Sequence, residues 1–303
     1  MTQRLLSEQE IAAYHDQGFL VVESLVPEAV LADIECEVSG LLQSARQLSA
    51  SDRVFDLEDS HTPAAPRVRR IKQPHRHCAA VDALVRSALI VDIVTQLLGP
   101  NVRLQGGKLN FKSAVYGAPV DWHQDWAFYP HTNADILTLG VMLDAMTEDN
   151  GPLMALPGSH KGSAFNHHNG DVFCGAMDMA ASGLDVAEAV SVLGPRGSIS
   201  LHHVKTVHGS ALNRSGGDRR LLLFEMTAAD AWPLFGAPLR YEDMEDFRSR
   251  IVAGEQSLEA RLEPVPARIP LPRPTDAGSI YDVQKNMARR QFITYEKSME
   301  TVE

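Results

Sequence analysis

Short runs of strand-forming residues, separated by turn residues, fill the middle of this chain and restrict the folds open to it. Glycine, proline, asparagine and aspartate punctuate the gaps between the runs, as in antiparallel sandwiches and barrels. The runs are Val102–Leu104, Lys108–Lys112, Leu137–Leu143, Leu153–Leu156, Ser198–Leu201 and Leu221–Phe224. This pattern predicts a mainly β core with flanking helices.

Helical patterns precede the predicted strands. The sequence Ser7-Glu8-Gln9-Glu10 is a capping-box pattern that predicts a helix ending at Gly18. Residues 19–22 then predict a strand. Apolar residues at helical spacing predict two further helices, one beginning near Pro27 and one across 81–98.

The end of the chain has a different texture. Helical character across 241–262 is followed by a proline-rich, extended strap at 264–274. We expect one domain over residues 1–303, divided into N-terminal helices and strands at 1–100, a β core at 101–227 and an extension wrapping that core at 228–303.

Residues 49–77 lack any clear periodicity and carry a basic cluster in an acidic protein. Two interpretations stay open: a solvated loop, since charge runs usually face water, or a mobile flap that contacts an anionic substrate. The cluster consists of Arg67, Arg69, Arg70, Lys72 and Arg76.

Composition excludes several classes of protein. The 303 residues carry a formal net charge of −11, which argues against a general nucleic-acid-binding surface. The three cysteines are far apart, predicting neither a zinc site nor a disulfide framework and favouring a reducing cytoplasm. We expect no signal peptide and no membrane span, because no apolar run is long enough.

A His-x-Asp pair, His123 and Asp125, lies within an aromatic-rich stretch, 121–129. On a β-strand these two side chains would project from the same face. An imidazole and a carboxylate on one face supply two of the three ligands of a 2-His-1-carboxylate facial triad, which holds iron(II) and leaves other positions open. The pair alone is weak evidence, because most such histidines are structural.

Further motifs follow in a fixed order. They are His123-Gln124-Asp125, Asn150-Gly151-Pro152-Leu153, Pro157-Gly158-Ser159-His160-Lys161-Gly162 and His208-Gly209-Ser210, with Asn213 and Arg219 beyond. Across most of residues 5–227 this set resembles the phytanoyl-CoA dioxygenase family, whose members are iron(II)- and 2-oxoglutarate-dependent oxygenases on a double-stranded β-helix. The resemblance implies that fold, that activity and the use of O2.

The resemblance also implies roles for individual residues. His123, Asp125 and His208 match the iron ligands, and Arg219 matches the partner of the 2-oxoglutarate C5 carboxylate, which a planar guanidinium can pair with two bonds. Other expected contacts of 2-oxoglutarate are Ser210, Asn110 and, less directly, Lys112. Trp126 and Phe128 flank the iron ligand Asp125 and are either core residues or the lining of a substrate pocket.

Alternatives remain at several positions. His202 or His203 could in principle replace His208 as the distal ligand, although their spacing to Arg219 does not match. Arg220 alternates to the opposite strand face, so we expect it to meet solvent or a surface partner.

The intact ligand set, with Asp125 present, favours hydroxylation of a small molecule over halogenation, with release of succinate and CO2. A catalytically silent member of the fold and a non-redox metal cupin are the alternatives. The substrate and the oligomeric state are left open.

Overall fold

A computed structural model describes residues 5–114, 117–235, 241–275 and 278–292. The helices are α1 Glu8–Gln17, α2 Glu28–Ala45, α3 Ala79–Val85, α4 Ala88–Leu98, α5 Met179–Ser182, α6 Met244–Ser249 and α7 Ile280–Gln284. The strands are β1 Phe19–Val22, β2 Phe55–Leu57, β3 Val68–Lys72, β4 Val102–Lys112, β5 Val120–His123, β6 Ile136–Met142, β7 Leu153–Ala155, β8 His168–Asn169, β9 Val172–Phe173, β10 Val190–Val192, β11 Ile199–His203, β12 His208–Ser210, β13 Arg219–Ala228 and β14 Ile251–Ala253.

Two antiparallel sheets form the body of the protein. The larger has eight strands in the order β1-β11-β6-β13-β4-β3-β2, with β14 pairing to β4. The smaller has four strands in the order β10-β7-β12-β5. Strands far apart in sequence are neighbours in both sheets, and the architecture is the double-stranded β-helix that the sequence predicts.

The larger sheet has one apolar face and one polar face because side chains alternate along each strand. On β6, Leu137, Leu139 and Val141 join a buried apolar cluster with residues of the packed helices, such as Ile34 of α2. The intervening Thr138 points the other way and donates a hydrogen bond to Asp125. The polar face therefore looks toward the candidate site, and the helices cover the opposite side.

The N-terminal predictions are confirmed. The Ser7 side chain accepts from the Glu10 amide and the Glu10 carboxylate accepts from the Ser7 amide, which completes the capping box. Gly18 ends α1 at a φ of 84°, where a Cβ would lie 2.3 Å from His160 Nδ1, so only glycine fits there. The helix predicted across 81–98 is interrupted between α3 and α4.

The interpretation of 49–77 as an aperiodic loop is wrong. Strands β2 and β3 lie in this segment, and β3 pairs with β4 from Arg70 to Lys72. The prediction from sequence periodicity failed because both strands are short and lie at one edge of the larger sheet, where backbone pairing decides the conformation.

The helical prediction for 241–262 is largely wrong. Only α6 is helical, and the chain then turns into β14, which pairs with β4 at Val102 and Arg103. That end of β4 lies beyond its pairing with β3, so its backbone groups are available to another strand. The strap at 264–274 is extended without regular structure, as predicted. Among the described residues no helix is long and apolar enough to cross a membrane.

Candidate metal centre

The smaller sheet brings His123 and His208 together. They are directly paired residues on β5 and β12, and their ring centroids lie 4.2 Å apart. Eighty-five residues separate them in sequence, so only the pairing of these two strands unites them. Both side chains are buried, at 5% exposure.

Asp125 completes a group of three possible ligands, although not from a strand. The prediction that it extends the strand of His123 is wrong, because β5 ends at His123 and Asp125 opens a 3-10 turn, Asp125–Ala127. The turn still places the carboxylate Oδ1 3.8 Å from His123 Nε2. Suitable donor atoms of His123, Asp125 and His208 all lie within 4.8 Å of one another.

Backbone carbonyls orient both imidazoles. His123 Nδ1 donates to the Asp121 carbonyl at 2.8 Å and His208 Nδ1 donates to the Thr206 carbonyl at 2.9 Å. Because a carbonyl only accepts, the proton resides on Nδ1 and each Nε2 keeps its lone pair. Burial lowers the pKa of His123 to about 4 and that of His208 well below its usual value. Two neutral imidazoles and a carboxylate are the donor set of a non-haem iron(II) site.

The second oxygen of Asp125 is held by neighbouring side chains. Thr138 Oγ1 donates to Oδ2 at 2.9 Å, and His202 Nε2 lies 3.4 Å from the same oxygen. Burial alone would raise the pKa of Asp125, but the hydrogen bond from His202 and the electrostatic influence of neighbouring groups, including Lys108, hold it well below the usual range. The carboxylate is thus ionised, and Oδ1 is left for a metal.

A pair of buried cations lies further along the polar face. Arg219 on β13 and Lys112 on β4 are directly opposite each other, with exposures of 3% and 1%. Arg219 Nη2 donates to the Gly151 carbonyl at 2.7 Å, whereas its Nε has no hydrogen-bond partner in the part of the chain that the structure describes. Lys112 Nζ donates to the Ala211 carbonyl.

Burial lowers the pKa of Arg219 to about 10 and that of Lys112 well below its usual value. Neither side chain has an ion pair with the described residues, which is unusual for buried charges. The arrangement fits an anionic ligand.

Two further predicted residues lie beside this pair. Asn110 is two residues before Lys112 on the same face of β4, and its buried Oδ1 lacks a hydrogen-bond partner. Ser210 follows His208 by two residues on β12 and is buried at 8% exposure. Both therefore lie in strands that carry the candidate metal ligands or the buried cations.

A sequence profile of the phytanoyl-CoA dioxygenase family matches residues 14–221. The chain belongs to this family. It is 38% identical over 292 residues to a protein of Stutzerimonas stutzeri described as a probable alpha-ketoglutarate-dependent hypophosphite dioxygenase, a match covering 95% of this chain and 100% of that protein. The ectoine dioxygenase of Sphingopyxis alaskensis is 28% identical over 162 residues, which cover 52% of this chain and 50% of the relative.

Solved structures share the fold. The crystal structure of EctD from S. alaskensis with 2-oxoglutarate and 5-hydroxyectoine has a TM-score of 0.63 and 23% identity, covering 88% of this chain and 89% of that one. At this level of identity the likeness concerns the double-stranded β-helix itself.

In this family member the two aromatic candidates differ in position. Phe128 meets His123 edge to face, with centroids 5.7 Å apart, and meets Phe173 in the same way at 5.2 Å. Trp126 is 2% exposed, packs in a cluster with Tyr129 and donates from Nε1 to the Pro266 carbonyl of the strap. Phe128 thus contacts a candidate ligand, whereas Trp126 anchors the strap.

Four members of the basic cluster, Arg69, Arg70, Lys72 and Arg76, are paired with acidic side chains. Arg69 donates twice to Glu58, at 3.0 and 2.7 Å, and Arg70 and Lys72 share Asp56. Arg76 reaches Glu242 at 2.9 Å and Asp246 at 2.5 Å. These ion pairs tie the strand to its surroundings, and nothing in them favours a mobile flap.

Arg220 has the surface partners expected of it. Its guanidinium binds Asp144 at 2.8 and 2.6 Å and Glu35 at 2.5 Å. The neighbouring Arg219 points to the opposite face, as strand alternation requires.

Sequence reasoning missed several residues that border the site. His202 was weighed only as a rival ligand, yet it lies beside Asp125. Tyr281 of α7 is buried, and its electrostatic interaction with Arg219 places it near the buried cations. Gln284 of the same helix hydrogen-bonds with both the backbone amide and the backbone carbonyl of Asp121. No local pattern marks the last two, because they come from the far end of the chain.

Proposed function

We propose that this protein is an iron(II)- and 2-oxoglutarate-dependent dioxygenase that hydroxylates a small molecule, with iron held by His123, Asp125 and His208. One observation carries the proposal: neutral imidazoles of the smaller sheet and an ionised carboxylate converge opposite the polar face of the larger sheet, which carries two buried cations with no anionic partner among the described residues. Family membership supports the same reaction class.

The cations would bind the co-substrate. The C5 carboxylate of 2-oxoglutarate would pair with Arg219, with Lys112, Ser210 and Asn110 as further contacts. A carboxylate here removes the cost of two buried positive charges and gives the free Nε of Arg219 an acceptor. Its position fixes which end of the co-substrate faces the metal ligands.

When bound, iron(II) with 2-oxoglutarate and O2 supplies the oxidation, and 2-oxoglutarate leaves as succinate and CO2. The chain itself supplies geometry. Thr138 and His202 keep Asp125 ionised and oriented, and the carbonyls of Asp121 and Thr206 aim the two imidazoles. Phe128, packed against His123, excludes water from one side of the centre.

The buried cations also separate this function from its alternatives. A non-redox metal cupin needs the three metal ligands but has no use for Arg219 and Lys112 beside them. A silent member of the fold would keep the architecture without needing the ligand atoms so arranged. We further propose that residues 1–303 act as one oxygenase domain. The cytoplasmic location expected from the widely spaced cysteines stays a prediction.

The substrate is proposed only as a class, a small molecule. Relatives are described as acting on hypophosphite, ectoine and L-proline. Hypophosphite is the first compound to test, since that relative matches this chain over nearly its whole length.

The proposal is tested by anaerobic reconstitution with iron(II), followed by succinate release in air against hypophosphite, ectoine and L-proline. We expect one iron per chain and substrate-dependent succinate above the uncoupled background. Asp125→Ala and His208→Ala should lose both iron and turnover while keeping the parent circular dichroism spectrum. His77→Ala, at an exposed histidine, is the matched control and should behave as the parent. Full activity in chelator-treated protein would contradict the assignment.

A further inference from the structure

Glu225 occupies a place on the polar face that the proposed chemistry leaves unexplained. On β13 it is directly opposite Thr138 of β6. Directly paired residues share a face, with Cβ atoms roughly 4.5–5.5 Å apart. Because Thr138 Oγ1 binds Asp125 at 2.9 Å, Glu225 is the cross-strand neighbour of the residue that holds a candidate iron ligand.

Lys108 stands next to Glu225. Its Nζ lies 3.3 Å from Glu225 Oε1, and it is two residues before Asn110 on the same face of β4. Its partner Glu225 is directly opposite Thr138, which binds Asp125, so the ammonium lies on the part of the polar face that borders the candidate centre. The side chains of Lys108 and Glu225 keep 25% and 17% exposure, so a small ligand can reach them.

The strand opposite Glu225 leaves room for its carboxylate. Gly106 is its partner on β4, and a Cβ there would lie 3.2 Å from Glu225 Oε2. The absent side chain leaves room for the Glu225 carboxylate, which lies beside the Lys108 ammonium.

We propose that Lys108 binds the primary substrate and that this substrate is a small oxyanion, either a carboxylate or a phosphorus oxyanion, with Glu225 positioning the ammonium. The inference rests on the proposed function and names its substrate class.

Charge favours an anion over a cation at this place. Around the site, Lys108, Lys112 and Arg219 carry three positive charges. Asp125 and Glu225 carry two negative charges. Iron(II) and doubly charged 2-oxoglutarate cancel each other, so one positive charge is left for a monoanion to neutralise. Arg70 and Lys72 of β3, directly opposite Asn110 and Lys108, share a single carboxylate, that of Asp56, which adds to the positive field.

The orientation follows from the chemistry of the groups. An ammonium donates to an oxyanion through charge-assisted hydrogen bonds. Anchoring the oxygen atoms at Lys108 leaves the C–H or P–H bond of a small substrate free to face the metal ligands.

The experiment measures binding rather than turnover. Isothermal titration calorimetry under anaerobic conditions follows hypophosphite, phosphite, acetate, L-proline and ectoine into the iron(II)–2-oxoglutarate protein. We expect an oxyanion to bind the parent and Lys108→Met to weaken it about 10- to 100-fold, the effect of losing one charge-assisted hydrogen bond. Lys108→Arg should recover part of the loss. Lys161→Met removes an exposed lysine that also pairs with an aspartate, Asp16, and should change nothing.

Two comparisons within this experiment show which kind of oxyanion binds and whether the ligand is an anion at all. Preference for hypophosphite or phosphite over acetate identifies a phosphorus oxyanion, and the reverse identifies a carboxylate; either supports the proposal. Equal oxyanion affinity in Lys108→Met and the parent overturns it. So does selective binding of L-proline or ectoine that Lys108→Met leaves unchanged, or no oxyanion binding by the parent.

A separate titration keeps this test distinct from that of the proposed function. Lys108→Met should bind 2-oxoglutarate as the parent does, with the same metal-to-ligand charge-transfer band. If the parent itself shows no such band, the proposed function fails. If the band is present and Lys108→Met binds the oxyanion unchanged, only the present inference fails.

Discussion

Two adjacent arginines on β13 show how a single position decides a role. Arg219 is buried and has no acidic partner among the residues described, whereas Arg220 lies on the opposite face between Asp144 and Glu35. The two side chains are chemically identical and differ only in their surroundings, so substitution of Arg220 is a matched control for substitution of Arg219.

Arg219→Ala should retain iron(II) but require far more 2-oxoglutarate. Removing one half of a buried charge pair costs about 2–5 kcal/mol, or roughly 30- to several-thousand-fold in affinity. Titration of 2-oxoglutarate into the anaerobic iron(II) protein, followed by the charge-transfer band, measures this directly.

Arg220→Ala is the control and should keep parent affinity for 2-oxoglutarate. Its ion pairs with Asp144 and Glu35 are partly exposed, so we expect a loss of stability of about 1 kcal/mol or less per pair. An Arg219→Ala variant that binds 2-oxoglutarate like the parent would remove Arg219 as the carboxylate anchor.

At the scale of elements, the C-terminal segment 278–292 is tied to the strand that carries His123. Gln284 of α7 accepts from the Asp121 amide at 3.0 Å and donates to the Asp121 carbonyl at 3.3 Å. The Asp121 carboxylate in turn accepts from the amides of Gln291 and Phe292. The same Asp121 carbonyl accepts from His123 Nδ1, so the segment positions a candidate iron ligand.

Gln284→Ala should lower iron(II) affinity by about tenfold, because it leaves buried groups of Asp121 unsatisfied at a cost of roughly 1–3 kcal/mol. Gln96→Ala provides a close control, since Gln96 brackets the backbone of Leu6 in the same way, at 2.8 and 3.1 Å, on another part of the molecule. Competition of both variants with a chromogenic iron chelator gives the comparison. Equal iron affinity in the two variants would show that α7 stabilises the fold without positioning His123.

At the scale of the whole molecule, buried neutral histidines make stability depend on pH. Burial lowers the pKa of His131 to about 4 and that of His167 to about 3. An unfolded histidine titrates near 6.5. As the pH falls below that value, these histidines bind protons in the unfolded chain but stay neutral in the folded protein. The folded protein therefore loses stability on acidification.

We expect the unfolding free energy of the metal-free protein to fall between about pH 6 and pH 4.5. Each such histidine contributes up to about 1.4 kcal/mol per pH unit, about 3 kcal/mol per unit for the two together. Urea unfolding at several pH values measures the slope. His131→Asn should make it shallower, and His77→Asn, at an exposed site, should leave it unchanged. A slope that His131→Asn does not alter would mean that His131 titrates alike in both states.

By itself the sequence predicted the candidate ligands of iron and 2-oxoglutarate and most of the long strands of the core. Strand alternation is local, so the apolar faces of the strands and the opposite directions of Arg219 and Arg220 follow from a two-residue period. The capping box at Ser7 and the glycine at position 18 likewise act within a few residues.

Only the tertiary structure decided how distant parts meet. Asp125 sits on a turn rather than on the predicted strand. Within residues 49–77, β3 formed because β4 offered backbone partners, β2 then paired with β3, and basic side chains of β3 lie beside acidic ones. His202 beside Asp125 and Gln284 beside Asp121 depend on contacts across 77 and 163 residues. Such contacts form when sheets pair and pack, and no local propensity encodes them.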